Sequence, residues 1–230
     1  MASRPQALPA VPDPVVVDAN DRRRLRRLIE ERLKDTRAPT DPGTAIPAGF
    51  TAELEDEVRR YYPAAPAAAA VLVPIVDHED GLSVLLTRRA THLKHHAGQI
   101  SFPGGRIEPT DDGPLAAALR ETEEEIGLGR EHVTFAGYLE PQLVLTGYWV
   151  TPVVAFVQPG FALRLDRHEV EAAFEVPLTH ILDVANHRSR KRLLGTTPIQ
   201  VYEIPYGKHQ IWGATAGMLM ALHRLLSQGR

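Results

Sequence analysis

Leu115 to Leu128 reads LAAALRETEEEIGL, a helix whose carboxylates stand where an ordinary helix does not carry them. Glu121, Glu123, Glu124 and Glu125 fall in the last turn and a half before Gly127. A helix C-terminus carries partial negative charge, so acids there are disfavoured, and like charges at i,i+4 repel. The alanines and leucines before them are strong helix formers, and Gly127 suits a C-cap. The helix is therefore expected, and its acids need a counter-charge. At ~100° per residue, Glu121, Glu124 and Glu125 share a sector of roughly 100°, and Glu123 points about 80° or more away. Leu115, Leu119 and Ile126 occupy a separate sector that can face a core. Three carboxylates on one side form a donor set for a hard divalent cation. A helix with this face and nothing else around it reads instead as a solvated acidic surface.

The residues upstream decide between the two. Phe102-Pro103-Gly104-Gly105 precedes the helix. The run Gly105…Asp111…Arg120-Glu121-Thr122-Glu123-Glu124-Glu125-Ile126-Gly127-Leu128 resembles the Nudix box, the signature of hydrolases that cleave nucleoside diphosphates linked to another group. The family pattern is Gly, five residues, Glu, seven residues, Arg-Glu, an apolar residue, any residue, Glu-Glu, any residue, Gly, an apolar residue. This chain has one extra residue between Gly105 and Arg120, and Asp111 (or Asp112) stands where the pattern has its first Glu. Thr122 replaces the usual apolar residue. The Arg-Glu…Glu-Glu…Gly-apolar core is intact.

A second, narrower resemblance lies just upstream. Leu85 to Gly105 reads LLTRRATHLKHHAGQISFPGG, which is similar to the motif of coenzyme A pyrophosphatases: LLT, any residue, Arg, Ser or Ala, three residues, Arg, three residues, Gly, three residues, FPGG. Leu85-Leu86-Thr87, Arg89, Ala90, Gly98 and Phe102-Pro103-Gly104-Gly105 fit the spacing. Lys94 stands where the pattern has its second Arg, keeping the charge without the two-pronged fork. The one-residue insertion in the box also suits this subgroup.

The charges of this segment agree with the resemblance. Arg88, Arg89, Lys94, His95 and His96 make a basic approach to the glycine loop, which would attract a substrate carrying several phosphates. His95 and His96 read as loop caps in preference to ligands, whereas the motif singles out Arg89 as a substrate contact. Gly104 and Gly105 allow close backbone approach to a phosphate or a metal. Phe102 and Pro103 fix the turn.

The 230 residues, 43% of them apolar, can bury one sizeable core. A net charge of −3 argues against a general nucleic-acid binder. No cysteine is present, so there is no disulfide framework or thiolate site, which fits a reducing cytoplasm. No apolar run reaches the length of a membrane span, and no signal-peptide core opens the chain. A soluble, cytoplasmic protein is expected, with neither nucleic acid nor membrane as partner. The sequence leaves the oligomeric state open, a homodimer included.

Met1 to Pro14 is proline-rich and reads as loose. Asp18 to Asp35 reads as an amphipathic helix with Leu25, Leu28, Ile29 and Leu33 on one side and its arginines on a solvated face paired with Glu30 and Glu31. Ala38 to Gly49 is turn-rich, and Thr51 to Tyr61 reads as a short helix. The spacing predicts strands over Ala69–Asp77 and Leu82–Arg88, joined by a turn at His78–Gly81, and further strands over Val133–Leu139 and Trp149–Val157. Glu169–Phe174 looks helical, Val176-Pro177-Leu178 opens a segment running to Leu182, Ile199–Ile204 and His209–Trp212 alternate as strands, and Thr215–Leu226 closes as an amphipathic helix. The resemblance implies an α/β fold, a Nudix-type α/β/α sandwich with a mixed sheet, over residues 67–230. Residues 1–66 then form an N-terminal extension with one or two helices.

The resemblance further implies that Glu121, Glu124 and Glu125 bind Mg2+ or Mn2+ with a Gly105 carbonyl assisting, and that Arg120 orients these carboxylates. Glu124 or Glu125 is the candidate for deprotonating water. Arg89, Lys94, Gly104 and Gly105 are the candidate substrate contacts. Glu169 is a candidate further acid, with a favoured position at a helix N-terminus as the alternative reading. Tyr148, Trp149 and Trp212 are more often core than stacking surfaces for adenine. The implied reaction cuts coenzyme A or its thioesters to 4′-phosphopantetheine (or its acyl form) and adenosine 3′,5′-bisphosphate. Another nucleoside diphosphate derivative (ADP-ribose, a dinucleotide, a damaged nucleoside triphosphate) is the alternative substrate, and a non-catalytic Nudix-fold binding module the alternative class. The upstream motif argues against the first, and the complete set of helix acids against the second.

Overall fold

The computed structural model describes residues 22–38, 46–47, 60–63, 65–94 and 96–227. The segment over 1–14, nearly all of the turn-rich stretch, the short helix expected over 51–61 (save its last two residues) and His95 lie outside the described residues. The chain runs through α1 (Arg22–Leu33), β1 (Ile46–Pro47), β2 (Ala67–His78), β3 (Gly81–Arg89), β4 (Ile100–Ser101) and β5 (Gly104–Arg106). Helix α2 (Gly113–Ile126) is followed by β6 (Val133–Tyr138), β7 (Gln142–Val144), β8 (Tyr148–Val157) and β9 (Val170–Pro177). A short helix, α3 (Leu178–Leu182), leads to β10 (Arg188–Leu194), β11 (Thr197–Tyr206), β12 (His209–Trp212) and α4 (Gly213–Ser227).

The main-sheet strands β2, β3 and β8 are largely apolar runs buried on both faces, as strands covered by helices on each side must be. β2 lies parallel to β8 and antiparallel to β3, so the main sheet is mixed. Its two faces follow the strand period of two. Ala70 and Leu72 pack with Ala117 and Ala118 of α2. Ala69, Val73 and Ile75 pack with Leu25, Ile29 and Leu33 of α1 and with Leu219 and Leu222 of α4. The result is an α/β/α sandwich. A separate antiparallel sheet, β10-β11-β12, stands beside it. Among the described residues no helix is long and apolar enough to cross a membrane.

A fork in the sheet positions the glycine loop. β2 pairs with β3 over residues 75–78 and with β5 over residues 69–71. Between them the Leu72 amide donates to the Pro103 carbonyl at 2.9 Å. Pro74, which has no N–H to donate, falls in this gap, where the ladder loses nothing. The FPGG turn is thereby wedged into the sheet, under the C-terminal half of α2.

One expectation fails. Glu169–Phe174 is not helical: Val170–Pro177 is a strand paired antiparallel to β3 from Ser83 to Arg89. The alanines and glutamates favour a helix locally, but pairing along a buried strand overrides that preference. Glu169 therefore sits in a turn before a strand, and its reading as a helix N-terminal charge falls with the helix. Strands β4, β5, β7 and β10 were not anticipated. The arginines of α1 are not wholly solvated either. Arg26 pairs with Glu30 at 3.0 Å as expected, but Arg22 and Arg26 also both hold Asp77 at the end of β2.

Candidate active site

Helix α2 begins at Asp112, with Pro114 in its first turn, and ends at Gly127, whose φ of 69° is left-handed. The Gly127 amide donates to the Glu123 carbonyl at 2.9 Å. The last two carbonyls of the helix are capped from outside: Asp166 N donates to Glu125 O at 2.9 Å, and Arg164 N to Ile126 O at 2.8 Å. This clasp satisfies helix-end groups that would otherwise need water. Thr122 takes an apolar position by donating its hydroxyl to the Ala118 carbonyl at 2.6 Å, within its own helix. Leu115 and Leu119 are half-buried, while Ala117, Ala118 and Ile126 form the buried contact with the sheet.

The two glycines of the FPGG turn are required for different reasons. Gly104 has φ +147°, and a Cβ there would lie 2.3 Å from the Ala70 carbonyl oxygen. At Gly105 a Cβ would lie 2.5 Å from the Glu121 carboxylate, which is seated directly on this residue. One turn along the helix, Glu125 Oε2 accepts from the Gly104 amide at 3.3 Å, and Glu125 Oε1 stands 3.9 Å from an Arg89 nitrogen. Arg89 Nε is buried and has no hydrogen-bond partner among the described residues. Strand β3, the FPGG turn and helix α2 thus meet at one carboxylate.

Arg120 organises the other acids. Nε and Nη2 take Asp111 in a fork at 3.0 and 2.9 Å, and Nη1 reaches Glu121 at 3.0 Å and Glu124 at 3.2 Å. Nη2 also donates to the Arg106 carbonyl at 3.2 Å. Asp111, not Asp112, is therefore the acid tied to the helix. The Arg120 fork, helped by the Glu108 amide, holds the Asp111 carboxyl below its ordinary range.

Burial separates the three helix acids that share a sector. Glu125 is 4% exposed, whereas the side chains of Glu121 and Glu124 are 18% and 59% exposed. Burial, with the charges of Glu169 and Glu121 adding to it, pushes Glu125 up to about 8 against the pull of Arg89 and the Gly104 amide. Burial likewise raises Glu121, with Glu124 and Glu169 contributing and Arg120 opposing. The charge of Glu169 thus acts on both of these carboxylates. Glu123 points outward, 4.0 Å from Arg130.

The other candidates divide. Lys94 is exposed in the loop after β3, and His96 meets Gln99 at 2.8 Å, a loop contact. Trp149 is core, packed with Tyr62, Leu143 and Ile199. Tyr148 lies 6.0 Å below the Arg106 guanidinium, and Trp212 carries Arg192 at 4.6 Å. The sequence reading missed the Arg106 carbonyl, the clasp, and the Arg88–Glu171 pair at 3.1 Å. That pair had a signal: acidic residues 169, 171 and 175 alternate opposite a strand ending in two arginines, a complementarity typical of cross-strand neighbours.

The NUDIX domain family matches residues 66–194. The chain belongs to this family. The Nudix hydrolase NudL of Escherichia coli K12, itself described as uncharacterized, is 41% identical over 155 residues, covering 67% of this chain and 80% of that protein. Among solved structures, a MutT/nudix family protein from Enterococcus faecalis matches with a TM-score of 0.47 at 17% identity, covering 76% of this chain and 70% of that one. An Ap4A hydrolase of C. elegans matches with a TM-score of 0.43 at 23% identity, covering 48% of this chain and 80% of that one. The protein is a Nudix hydrolase, of a family that acts on nucleoside diphosphate derivatives and generally uses divalent ions such as Mg2+ or Mn2+.

The Nudix centre fits such an ion by the chemistry of its donors. Glu121 and Glu125 are carboxylates drawn from water, with Glu169 adding negative charge, and a hard cation would supply what burial denies them. Among the described residues, no three of His, Asp and Glu are already drawn to one point. Arg120 holds Glu121 and Glu124 together, while Glu125 is turned to Gly104.

Proposed function

We propose that this Nudix hydrolase cleaves the pyrophosphate bond of coenzyme A or acyl-CoA, giving (acyl-)4′-phosphopantetheine and adenosine 3′,5′-bisphosphate. The observation that carries this reading is Glu125, which joins both motifs. One oxygen takes the amide of the FPGG turn, and the other faces Arg89, the arginine of the upstream motif.

In this reading Glu121, Glu124 and Glu125, with the Gly105 carbonyl, hold Mg2+ or Mn2+. Such an ion, when bound, would supply charge neutralisation for the phosphates and activation of water. Arg120 keeps Glu121 and Glu124 in place and does not touch substrate. Arg89, with a spare buried donor, and Lys94 at the loop receive the negative oxygens of the diphosphate. Gly104 and Gly105 let a phosphate approach the backbone without a side chain in the way. A water oxygen forms a bond to one phosphorus as the bridging P–O bond breaks, and two phosphate monoesters depart. Glu124 or Glu125, beside that water, takes its proton. Glu169, across the clasp, adds a further acid to the set.

The test is product analysis after incubating purified protein with coenzyme A and Mg2+ or Mn2+, beside a Glu125→Gln control. The expected result is metal-dependent release of adenosine 3′,5′-bisphosphate that the control lacks. Cleavage of ADP-ribose or a nucleoside triphosphate in place of coenzyme A would move the substrate elsewhere in the family. Inertness toward every diphosphate would make the chain a binding module.

A further inference from the structure

A cavity of about 480 Å³ opens between the loop leading into β4 and strand β12. Its polar walls are Arg88, Gln99, Lys208, His209 and Gln210, with Trp212 as an aromatic side. It stands on the opposite face of the main sheet from the candidate active site. Leu85, on the Arg89 side of β3, shares a core with Ile126 of α2. Leu86, on the Arg88 side, belongs to the core that includes Ile29 of α1 and Leu222 of α4. Both walls are fixed by contacts of their own. Arg89 N donates to the Gln99 carbonyl at 2.9 Å and Gly98 N to the Arg89 carbonyl at 3.2 Å, which holds the loop. Across from it His209 is stacked on Phe174 with ring centres 3.7 Å apart, and Thr215 of α4 donates to the Ile100 carbonyl at 2.9 Å.

The charge of this cavity is one-sided. No carboxylate lines it among the described residues. Glu171 balances Arg88 at 3.1 Å, reaching it from an irregularity in β9, where Arg88 stands opposite Ala172 and Arg89 opposite Val170. Lys208, exposed in the turn between β11 and β12, forms no ion pair among the described residues. Arg192 adds a further cation at the aromatic side, its guanidinium 4.6 Å from the centre of the Trp212 ring. At His209 the resulting field is positive: burial, then the charges of Lys208 and Arg88, hold its imidazole below the ordinary range. Gln99 adds a neutral donor, because His96 Nδ1 meets its Oε1 at 2.8 Å and leaves the amide nitrogen free to donate.

We propose that this cavity is a second ligand site, separate from the catalytic centre, for a small phosphate-bearing anion. The inference is independent of the coenzyme A reading, since nothing in it involves the bond cleaved beside Glu125. Lys208, with Arg88 and Arg192 beside it, leaves positive charge that an anionic ligand would neutralise. The several oxygens of a phosphate can accept from an ammonium, a guanidinium and the amides of Gln99 and Gln210 at once, which the two oxygens of a carboxylate meet less fully. The volume lies in the range of small-molecule pockets, so a phosphate carrying a small organic group also fits, with Trp212 as the side for its apolar part.

The experiment is isothermal titration of the full chain, stripped of divalent ions on a chelating resin, with inorganic pyrophosphate. Without a divalent ion the acids of α2 repel this probe, so binding at the catalytic centre is suppressed. One equivalent is expected to bind to the wild type. Lys208 is exposed, so Lys208→Gln leaves the core untouched, and it should weaken binding by about tenfold. Lys208→Arg preserves the charge and should bind within about twofold of the wild type. Arg89→Gln removes a cation on the other face of the sheet and should keep wild-type affinity. Absence of binding in the wild type, or equal affinity in Lys208→Gln, would overturn the site. Affinity lost in Arg89→Gln and kept in Lys208→Gln would overturn it too, by placing the probe beside Glu125. The proposed reaction is read separately, by product analysis, and stands or falls apart from these outcomes.

Discussion

Glu125 is a carboxylate that folding makes reluctant to ionise, and this gives the metal-free protein a distinct pH signature. Its folded value of about 8 lies above the ordinary 4.5. The stability it contributes is therefore complete below pH 4.5 and is lost as pH rises through 8. Glu125→Gln removes the charge and keeps the shape. In chelator, its melting temperature should pull ahead of the wild type as pH climbs from 5 to 9, by several degrees. A gap that stays flat across that range would contradict the burial argument. With Mg2+ or Mn2+ and substrate, the same variant should lose about 10²-fold or more in kcat/KM while its circular dichroism is unchanged. The two glycines beside it should respond differently. Gly104→Ala meets backbone at 2.3 Å with a left-handed φ, and should cost at least about 2 kcal/mol in denaturant unfolding. Gly105→Ala meets first the end of the Glu121 side chain, so it should keep most of its stability and lose activity instead. Equal stability losses in the two would mean that Glu121 cannot yield.

At the scale of elements, Arg120 is the tie between helix α2 and the loop before it. Arg120→Ala frees Asp111, Glu121 and Glu124 together, and should reduce turnover by about tenfold to a hundredfold and weaken metal affinity. Arg120→Lys should recover only part, because an ammonium cannot reproduce the fork on Asp111. Wild-type metal affinity in Arg120→Ala would show that the carboxylates need no such tie. Helix α2 was legible because its acids, glycine cap and alanines are local signals, and the long strands were legible as unbroken apolar runs. Strand β9 was not. Its residues mix alanine with glutamate and become a strand only because β3, some eighty positions earlier, offers an unpaired edge. The same limit governed the site. The Glu121–Glu125 set and Arg89 lie within motifs, whereas the clasp at Asp166 exists only once distant segments meet. Thr122 was legible as an oddity, but its solution, a hydrogen bond to its own helix, shows only in three dimensions.

Across the whole molecule, helix α1 is fastened to the sheet at both kinds of contact. Leu25, Ile29 and Leu33 share the core with β2 and β3, while Arg22 and Arg26 converge on Asp77. Burial alone would raise the Asp77 carboxyl, but the two arginines outweigh it and hold it below the ordinary 3.8. Its contribution is thus present above pH 3.8 and fades as acid titrates the folded group. Asp77→Asn should cost about 1–3 kcal/mol at pH 7, and the difference from the wild type should shrink below pH 4. A variant as stable as the wild type at neutral pH would mean that α1 is held by its leucines alone. The clasp that caps α2 has a consequence of another kind. Asp166 N and Arg164 N are bonded to the same helix turn that bears Glu125, and Asp166 O accepts from Glu169 N and Val170 N. The Arg164 and Asp166 amides can exchange with deuterated solvent only when the helix end parts from this segment. They should therefore exchange as one group, and their common rate would time how often the acidic centre comes apart at rest.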